Sequence, residues 1–263
     1  MQRTSNGTPV WIDGSGPPVV LIHGVMMDHR MWEPQVRALH DAYTVIRYDM
    51  LGHGQAPDAE GERTLEEFVA QAREVIAECC SAQRPALGGF SMGGLVTQTV
   101  AARHWSDLRA VMLLNTAFER SASQREAVAR RLGLMEQGGV ESVVEPAMQR
   151  WFNAKEKRER SAEIGEVIGW MRDDEFTPKI KAYRVFVNSD SPSAEMLRAV
   201  QCPALVMTGD GDVGSTSQMS RRMAEELPAA QLHIQDNQQH MMPFLDADRV
   251  NVTMREFLDR LNT

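Results

Sequence analysis

Cysteine is scarce in this chain of 263 residues: there are three, and two of them, Cys79 and Cys80, are adjacent. Thiols so placed cannot build a disulfide framework. Nor are they spaced as zinc ligands, so a reducing compartment is the simpler expectation. No apolar run approaches the roughly 18 residues that a membrane helix needs. The opening stretch, MQRTSNGTPVWIDG, is polar and lacks the apolar centre of a signal peptide. These absences together predict a cytoplasmic protein without membrane association. Cations are also in deficit: 28 Lys and Arg against 36 Asp and Glu give a net charge of −8. That average charge repels a phosphate backbone, so nucleic acid is not an expected partner. No repeat or low-complexity tract is present. The seven His include no H-E-x-x-H pair, and no G-x-G-x-x-G follows the first strand. Neither a metal nor a dinucleotide cofactor is therefore expected, and the cofactor expectation is none.

What is present is ordinary for a globular chain: 43% hydrophobic and 24% charged residues, with a length that one α/β domain can fill. Short apolar runs alternate with longer helical patterns, which predicts a largely parallel sheet flanked by helices. Strands are expected at Pro9–Asp13, Pro18–His23, Tyr43–Asp49, Ala86–Phe90, Ala110–Asn115, Ala204–Thr208 and Gln231–Gln235. The runs VVLIH, TVIRYD, AVMLLN and ALVMTG are nearly continuous, as strands covered on both faces should be. Thr64 and Glu67 form a T-x-x-E capping box, followed by an apolar face of Phe68, Val69, Ala72, Val75, Ile76 and Cys79. Val250, Met254, Phe257, Leu258 and Leu261 mark a C-terminal helix. The alternation breaks over residues 118–190, which are charged and helical in pattern. They read as a helical cap inserted between two strands, with 1–117 and 191–263 forming the core. Its charge runs read as solvated helix faces.

The sharpest local feature is Gly89-Phe90-Ser91-Met92-Gly93. It leaves an apolar strand and enters a helical run, the context a G-x-S-x-G nucleophile turn requires. The serine's strained backbone leaves room only for small neighbours two residues away. A nucleophilic serine needs a base, and the base needs an orienting carboxylate. After a strand–turn–helix nucleophile the acid comes next in the chain and the histidine last. Asp212 follows the strand ALVMTG, and His240 follows the strand after it, so the candidate triad is Ser91, Asp212 and His240. Asp210 is a rival acid. His104 and His233 read as packing or surface residues. Donors for a developing oxyanion are expected from the backbone N–H of Met92 and of Val25, in the turn after His23-Gly24. His53, in the Gly-rich exit YDMLGHG, reads as structural. Substrate-pocket candidates are Met26, Trp32, Trp151, Phe152, Trp170 and Met241.

Together, the His23-Gly24 turn, YDMLGHG, GFSMGG, Asp212 and His240 resemble the α/β-hydrolase superfamily over nearly the whole chain. LLNTAF, Arg150-Trp151-Phe152 and Gly209-x-x-Asp212-Val213 resemble its 3-oxoadipate enol-lactonase-like and carboxylesterase branch. The chain departs from that branch in having DVGST without a following Pro, Gln239 before the histidine, and Leu51 where the branch usually has Arg. The resemblance implies an α/β-hydrolase fold and a serine hydrolase cleaving a small ester or lactone through an acyl-enzyme. A charged lactone would require cationic partners, for which Arg30, Arg150 and Arg184 are candidates. Two alternatives are C–C bond hydrolysis of a ring-fission product by the same triad, and a non-catalytic small-molecule receptor. The expected state is a monomer or small homo-oligomer. The 17 Met residues include Met26, Met27, Met92, Met241 and Met242 beside the expected catalytic turns. That placement predicts a soft, apolar acyl pocket.

Overall fold

The computed structural model describes residues 1–58, 60–80, 82–173 and 175–262. Eight strands form one sheet: β1 (Gln2–Arg3), β2 (Pro9–Asp13), β3 (Pro18–Ile22), β4 (Thr44–Tyr48), β5 (Ala86–Phe90), β6 (Ala110–Leu114), β7 (Ala204–Gly209) and β8 (Ala230–Gln235). Their spatial order is β1-β2-β4-β3-β5-β6-β7-β8. The β1–β2 and β2–β4 pairs are antiparallel, and every pair from β4 to β8 is parallel. All residues of β3, β5, β6 and β7 are buried, which is why those runs carry no polar alternation. The fold is that of an α/β hydrolase. The short β1 was not legible: two exposed residues carry no pattern.

Helices α1 (Glu33–Leu39), α2 (Leu65–Cys79) and α3 (Met92–His104) link the first strands. The Thr64 N–H donates to the Glu67 carboxylate at 2.7 Å and closes the expected capping box on α2. Phe68, Val69, Ala72 and Val75 then turn inward. Between β6 and β7 run α4 (Ala122–Gly138), α5 (Glu141–Trp151), α6 (Ala154–Glu159), α7 (Ser161–Arg172), α8 (Phe176–Asn188) and α9 (Ala194–Arg198). Lys181 and Arg184 of α8 pair with Asp58 and Glu62 of the β4–α2 connection, each at 2.8 Å. Such solvent-accessible pairs contribute at most about 1 kcal/mol each. After β7 come α10 (Ser217–Glu226), α11 (Met242–Leu245) and α12 (Ala247–Arg260). Val250, Met254, Phe257 and Leu258 are the buried face of α12. No described helix is long and apolar enough to cross a membrane.

The parallel strands all point their C-terminal ends to one edge. The turns after β3, β5, β7 and β8 meet there, which is where ligands bind in open parallel sheets.

Candidate active site

Ser91 stands between β5 and α3 with φ 54° and ψ −115°. That backbone is strained for any residue with a Cβ, and its neighbours show why it holds. A Cβ at Gly89 would lie 2.2 Å from the Gly93 carbonyl oxygen, and one at Gly93 would lie 2.3 Å from the Ile22 carbonyl oxygen. The two glycines let α3 start directly against β3 and β5. The Ser91 N–H is held by the Leu114 carbonyl at 3.0 Å.

The structure brings Ser91, His240 and Asp212 into one hydrogen-bonded row, all three mostly buried. His240 Nε2 lies 3.1 Å from Ser91 Oγ, and His240 Nδ1 lies 2.7 Å from Asp212 Oδ2. Burial pushes the Asp212 carboxyl up. The charge of His240 and hydrogen bonds from His240, Asn115 and Ser215 outweigh burial and hold it below the usual carboxylate range. An ionised carboxylate only accepts hydrogen bonds, so His240 Nδ1 carries the proton and Nε2 offers its lone pair to Ser91. Both Asp212 oxygens are satisfied. Oδ1 accepts the N–H groups of Gly214 and Ser215 at 2.8 and 2.9 Å, and Oδ2 accepts from Asn115 Nδ2 at 2.9 Å. Asp210 is exposed and, among the described residues, accepts the Gln238 N–H alone, at 3.3 Å.

Asn115 was missed at the level of sequence. It follows β6 with φ 45° and also donates to the Gln239 carbonyl at 3.3 Å. It thereby ties the acid to the loop that carries the histidine. The signal that could have found it is an uncharged polar residue closing an apolar strand.

The turn after β3 is fixed by two histidines. His23 Nδ1 donates to the Gly24 carbonyl at 2.8 Å, and its Nε2 accepts the Met50 N–H at 2.9 Å. His53 Nδ1 donates to the Leu51 carbonyl, and its Nε2 accepts the Met26 N–H, each at 3.1 Å. Burial pushes His23 below its ordinary range against the pull of Asp49. Burial, then repulsion from His23 and Lys179, drives His53 lower still. Both rings are therefore neutral connectors. Met26 sits at φ 70°, which turns the chain sharply after Val25. Asp28, His29 and Asp49 lie close by and bring their carboxylate and ring atoms together. Arg30, the ring and N–H of His29, and the Gln55 N–H already occupy those carboxylates.

A cavity opens over the row. It is lined by Val25, Ser91, Asp212, His240, Trp151, Tyr183 and three arginines, Arg120, Arg131 and Arg150. A contiguous apolar recess adds Met26, Met135, Val143 and Met171 to Val25, Arg131, Arg150 and Trp151. Of the expected pocket residues, Met26 and Trp151 line this space, and the Trp151 ring lies 5.7 Å from the His240 ring. Trp32, Phe152 and Met241 do not: all three are buried in the core. Trp170 lines a separate groove of about 940 Å³ with Arg30 and Phe244, which none of the three row residues reaches. The expectation of a methionine pocket is likewise corrected. Among Met26, Met27, Met92, Met241 and Met242, only Met26 lines the cavity or its recess. The physical reason is that these turns bring backbone to the site while most of their side chains rotate back into the core. Of the candidate cations, Arg30 is held by Asp28 and Asp173, and Arg184 by Glu62 and Glu136. Only Arg150 reaches the cavity. Arg120 and Arg131 were not foreseen, because their charge runs resemble solvated faces.

The sequence profile described as the alpha/beta hydrolase family matches residues 19–253. The chain belongs to this family. The (E)-2-((N-methylformamido)methylene)succinate hydrolase of Acinetobacter baylyi is 32% identical over 260 residues, covering 98% of this chain and 97% of that protein. The 3-oxoadipate enol-lactonase 1 of the same organism is 24% identical, covering 89% of this chain and 86% of its own. Among solved structures, the enol-lactonase from Burkholderia xenovorans LB400 matches with a TM-score of 0.86 and 26% identity, over 96% of each chain. This α/β hydrolase thus shares its family with hydrolases of varied specificity.

Proposed function

We propose that this α/β hydrolase is a serine hydrolase that cleaves a small ester or lactone through an acyl-enzyme. The observation that carries the reading is the row Ser91–His240–Asp212, with a proton acceptor aimed at the serine hydroxyl. His240 Nε2 takes the Ser91 proton as Oγ attacks the acyl carbonyl. Asp212 holds the ring in the Nδ1–H tautomer and stabilises the imidazolium. The oxyanion is received by the Met92 N–H, which stands at the first helical position of α3 and has no intrahelical acceptor. The Val25 N–H, in the turn pinned by His23 and His53, is the second donor. The imidazolium then returns its proton to the leaving alkoxide. Water, activated by the same Nε2, cleaves the acyl-enzyme.

A second reading keeps this machinery and changes the bond. The relative that is 32% identical is named for a methylformamido-methylene succinate, a compound whose name contains no ester. Hydrolysis of a C–N or C–C bond is then the alternative. A non-catalytic receptor is the third reading.

Labelling with a fluorophosphonate, followed by a turnover comparison among p-nitrophenyl esters, lactones and ring-fission diketones, separates the three. The expected result is an adduct on Ser91, ester or lactone turnover, and a fall on the order of 10⁵-fold in Ser91→Ala with an unchanged circular dichroism spectrum. Absence of the adduct in folded protein favours the receptor. A diketone exceeding every ester by orders of magnitude favours the C–C reading.

A further inference from the structure

The three arginines over Ser91 are unusual in what surrounds them. Arg120 precedes α4, Arg131 lies within α4 and Arg150 lies within α5, so the helical segment supplies all three. Among the described residues, none of them forms an ion pair with a carboxylate, whereas Arg30, Arg125, Arg130, Arg172 and Arg184 all do. Their hydrogen bonds go to neutral acceptors. Arg120 donates to the Phe186 carbonyl at 2.8 Å and lies 4.1 Å over the Phe186 ring. Arg131 Nε donates to the Tyr183 hydroxyl at 3.2 Å, and Arg150 Nε donates to the Pro146 carbonyl at 3.2 Å. Each of these contacts leaves much of the fork unused, since a guanidinium has five N–H donors.

They also repel one another. Arg120 is buried, and Arg131 acts unfavourably on both Arg120 and Arg150. Burial is the larger cause, and with Arg131 it brings the Arg150 guanidinium down to about 10. Asp212 attracts Arg150 but is committed to His240, Asn115 and the N–H groups of Gly214 and Ser215, so among the described residues these partly buried like charges have no carboxylate of their own and are costly to the folded state. Asp190, whose charge Arg120 feels, pairs with Arg125 at 3.6 Å instead. An anion in the cavity would relieve this repulsion and complete the unused forks. Planar carboxylates suit that role because they match the guanidinium fork with two parallel hydrogen bonds.

We propose that the cavity over Ser91 is a carboxylate-binding site, in which Arg131 and Arg150, backed by Arg120, hold a free carboxylate of the substrate. The molecule hydrolysed is then an ester or lactone that carries a carboxylate separate from the bond cleaved. This assignment of substrate class rests on Ser91 being the nucleophile; the anion site itself does not. Positive charge at this position also draws an anionic substrate into a protein whose net charge is −8.

Two measurements test it. The first compares kcat/KM for monomethyl succinate and methyl butanoate, which differ chiefly in the terminal carboxylate. The expected preference for the half-ester is about tenfold or more, falling to about twofold or less in the Arg131→Gln/Arg150→Gln double variant. Arg130→Gln, an exposed arginine of α4 paired with Glu126, should retain the full preference. The second is calorimetric titration of succinate into the Ser91→Ala protein, with and without the two arginine substitutions. Binding should weaken at least about tenfold when the arginines are removed. The arginine variants should also unfold at a higher temperature than wild type without ligand, a gain that a merely structural role for these side chains would reverse. Equal turnover of the two esters with no succinate binding overturns the anion site while leaving the hydrolase intact. Succinate binding through the arginines without turnover of either ester keeps the anion site and sinks the ester reading.

Discussion

The Nε2 of His53 accepts the backbone N–H of Met26 at 3.1 Å, joining the Gly-rich exit of β4 to the turn after β3. The bond requires a neutral ring protonated at Nδ1, and the Leu51 carbonyl receives that proton. His53 holds the turn after β3 that carries Val25, whose N–H is the proposed oxyanion donor. Removing an oxyanion donor outright costs on the order of 10²–10³-fold in kcat. Loosening one should cost less, so His53→Ala is expected to lower kcat about tenfold with KM nearly unchanged. His53→Gln, which keeps an acceptor within reach of Met26, should recover part of the loss. Steady-state kinetics on one ester decide it, and a change confined to KM would remove His53 from this role.

The two carboxylates of the β7 exit should behave differently. Asp212 is buried and takes four hydrogen bonds, one of them from His240, whereas Asp210 is exposed and, among the described residues, accepts one hydrogen bond, from Gln238. Asp212→Asn is expected to lower kcat on the order of 10⁴-fold, because an amide no longer holds the His240 tautomer. Asp210→Asn should stay within about twofold of wild type. Equal losses in the two variants would show that the loop, not the acid, is what matters.

Stability should fall on the acid side of neutrality. His23 and His53 are held below the ordinary value of 6.5 in the folded protein. As pH drops through 6.5 the unfolded chain binds protons that the folded chain refuses, so unfolding becomes easier. The contribution is complete above that pH and is lost progressively below it. Thermal unfolding followed from pH 8 to pH 5 should show a declining midpoint, with a shallower slope in His53→Gln. A midpoint independent of pH across this range would contradict the neutral-connector assignment.

Much of this protein is written locally. The apolar runs marked β3, β5, β6 and β7, because a strand covered on both faces admits few polar residues, while β2, β4 and β8 were marked by apolar residues interleaved with polar ones. The capping box at Thr64 and Glu67 marked the start of α2. Gly89 and Gly93 marked the serine turn, because any side chain there would strike the backbone of α3 or β3. Asp212 and His240 were legible as loop residues after successive strands, since a parallel sheet delivers all such loops to one edge.

The remaining features belong to tertiary structure. Nothing in the run ERSASQREAVARR distinguishes Arg130, which is exposed, from Arg131, which lines the cavity over Ser91. The rotation of α4 against α8 makes that choice. Trp170 and Trp151 look alike in sequence, yet one lines a distant groove and the other the cavity over Ser91. The methionines beside the turns that carry Ser91, His240 and Val25 lie close in the chain and mostly turn away from the cavity, because a tight turn cannot aim successive side chains at one point. Chain order thus determined which residues arrive at the sheet edge. Helix packing above that edge decided which side chains line the cavity over the serine, and it placed there three arginines that form no ion pair among the described residues.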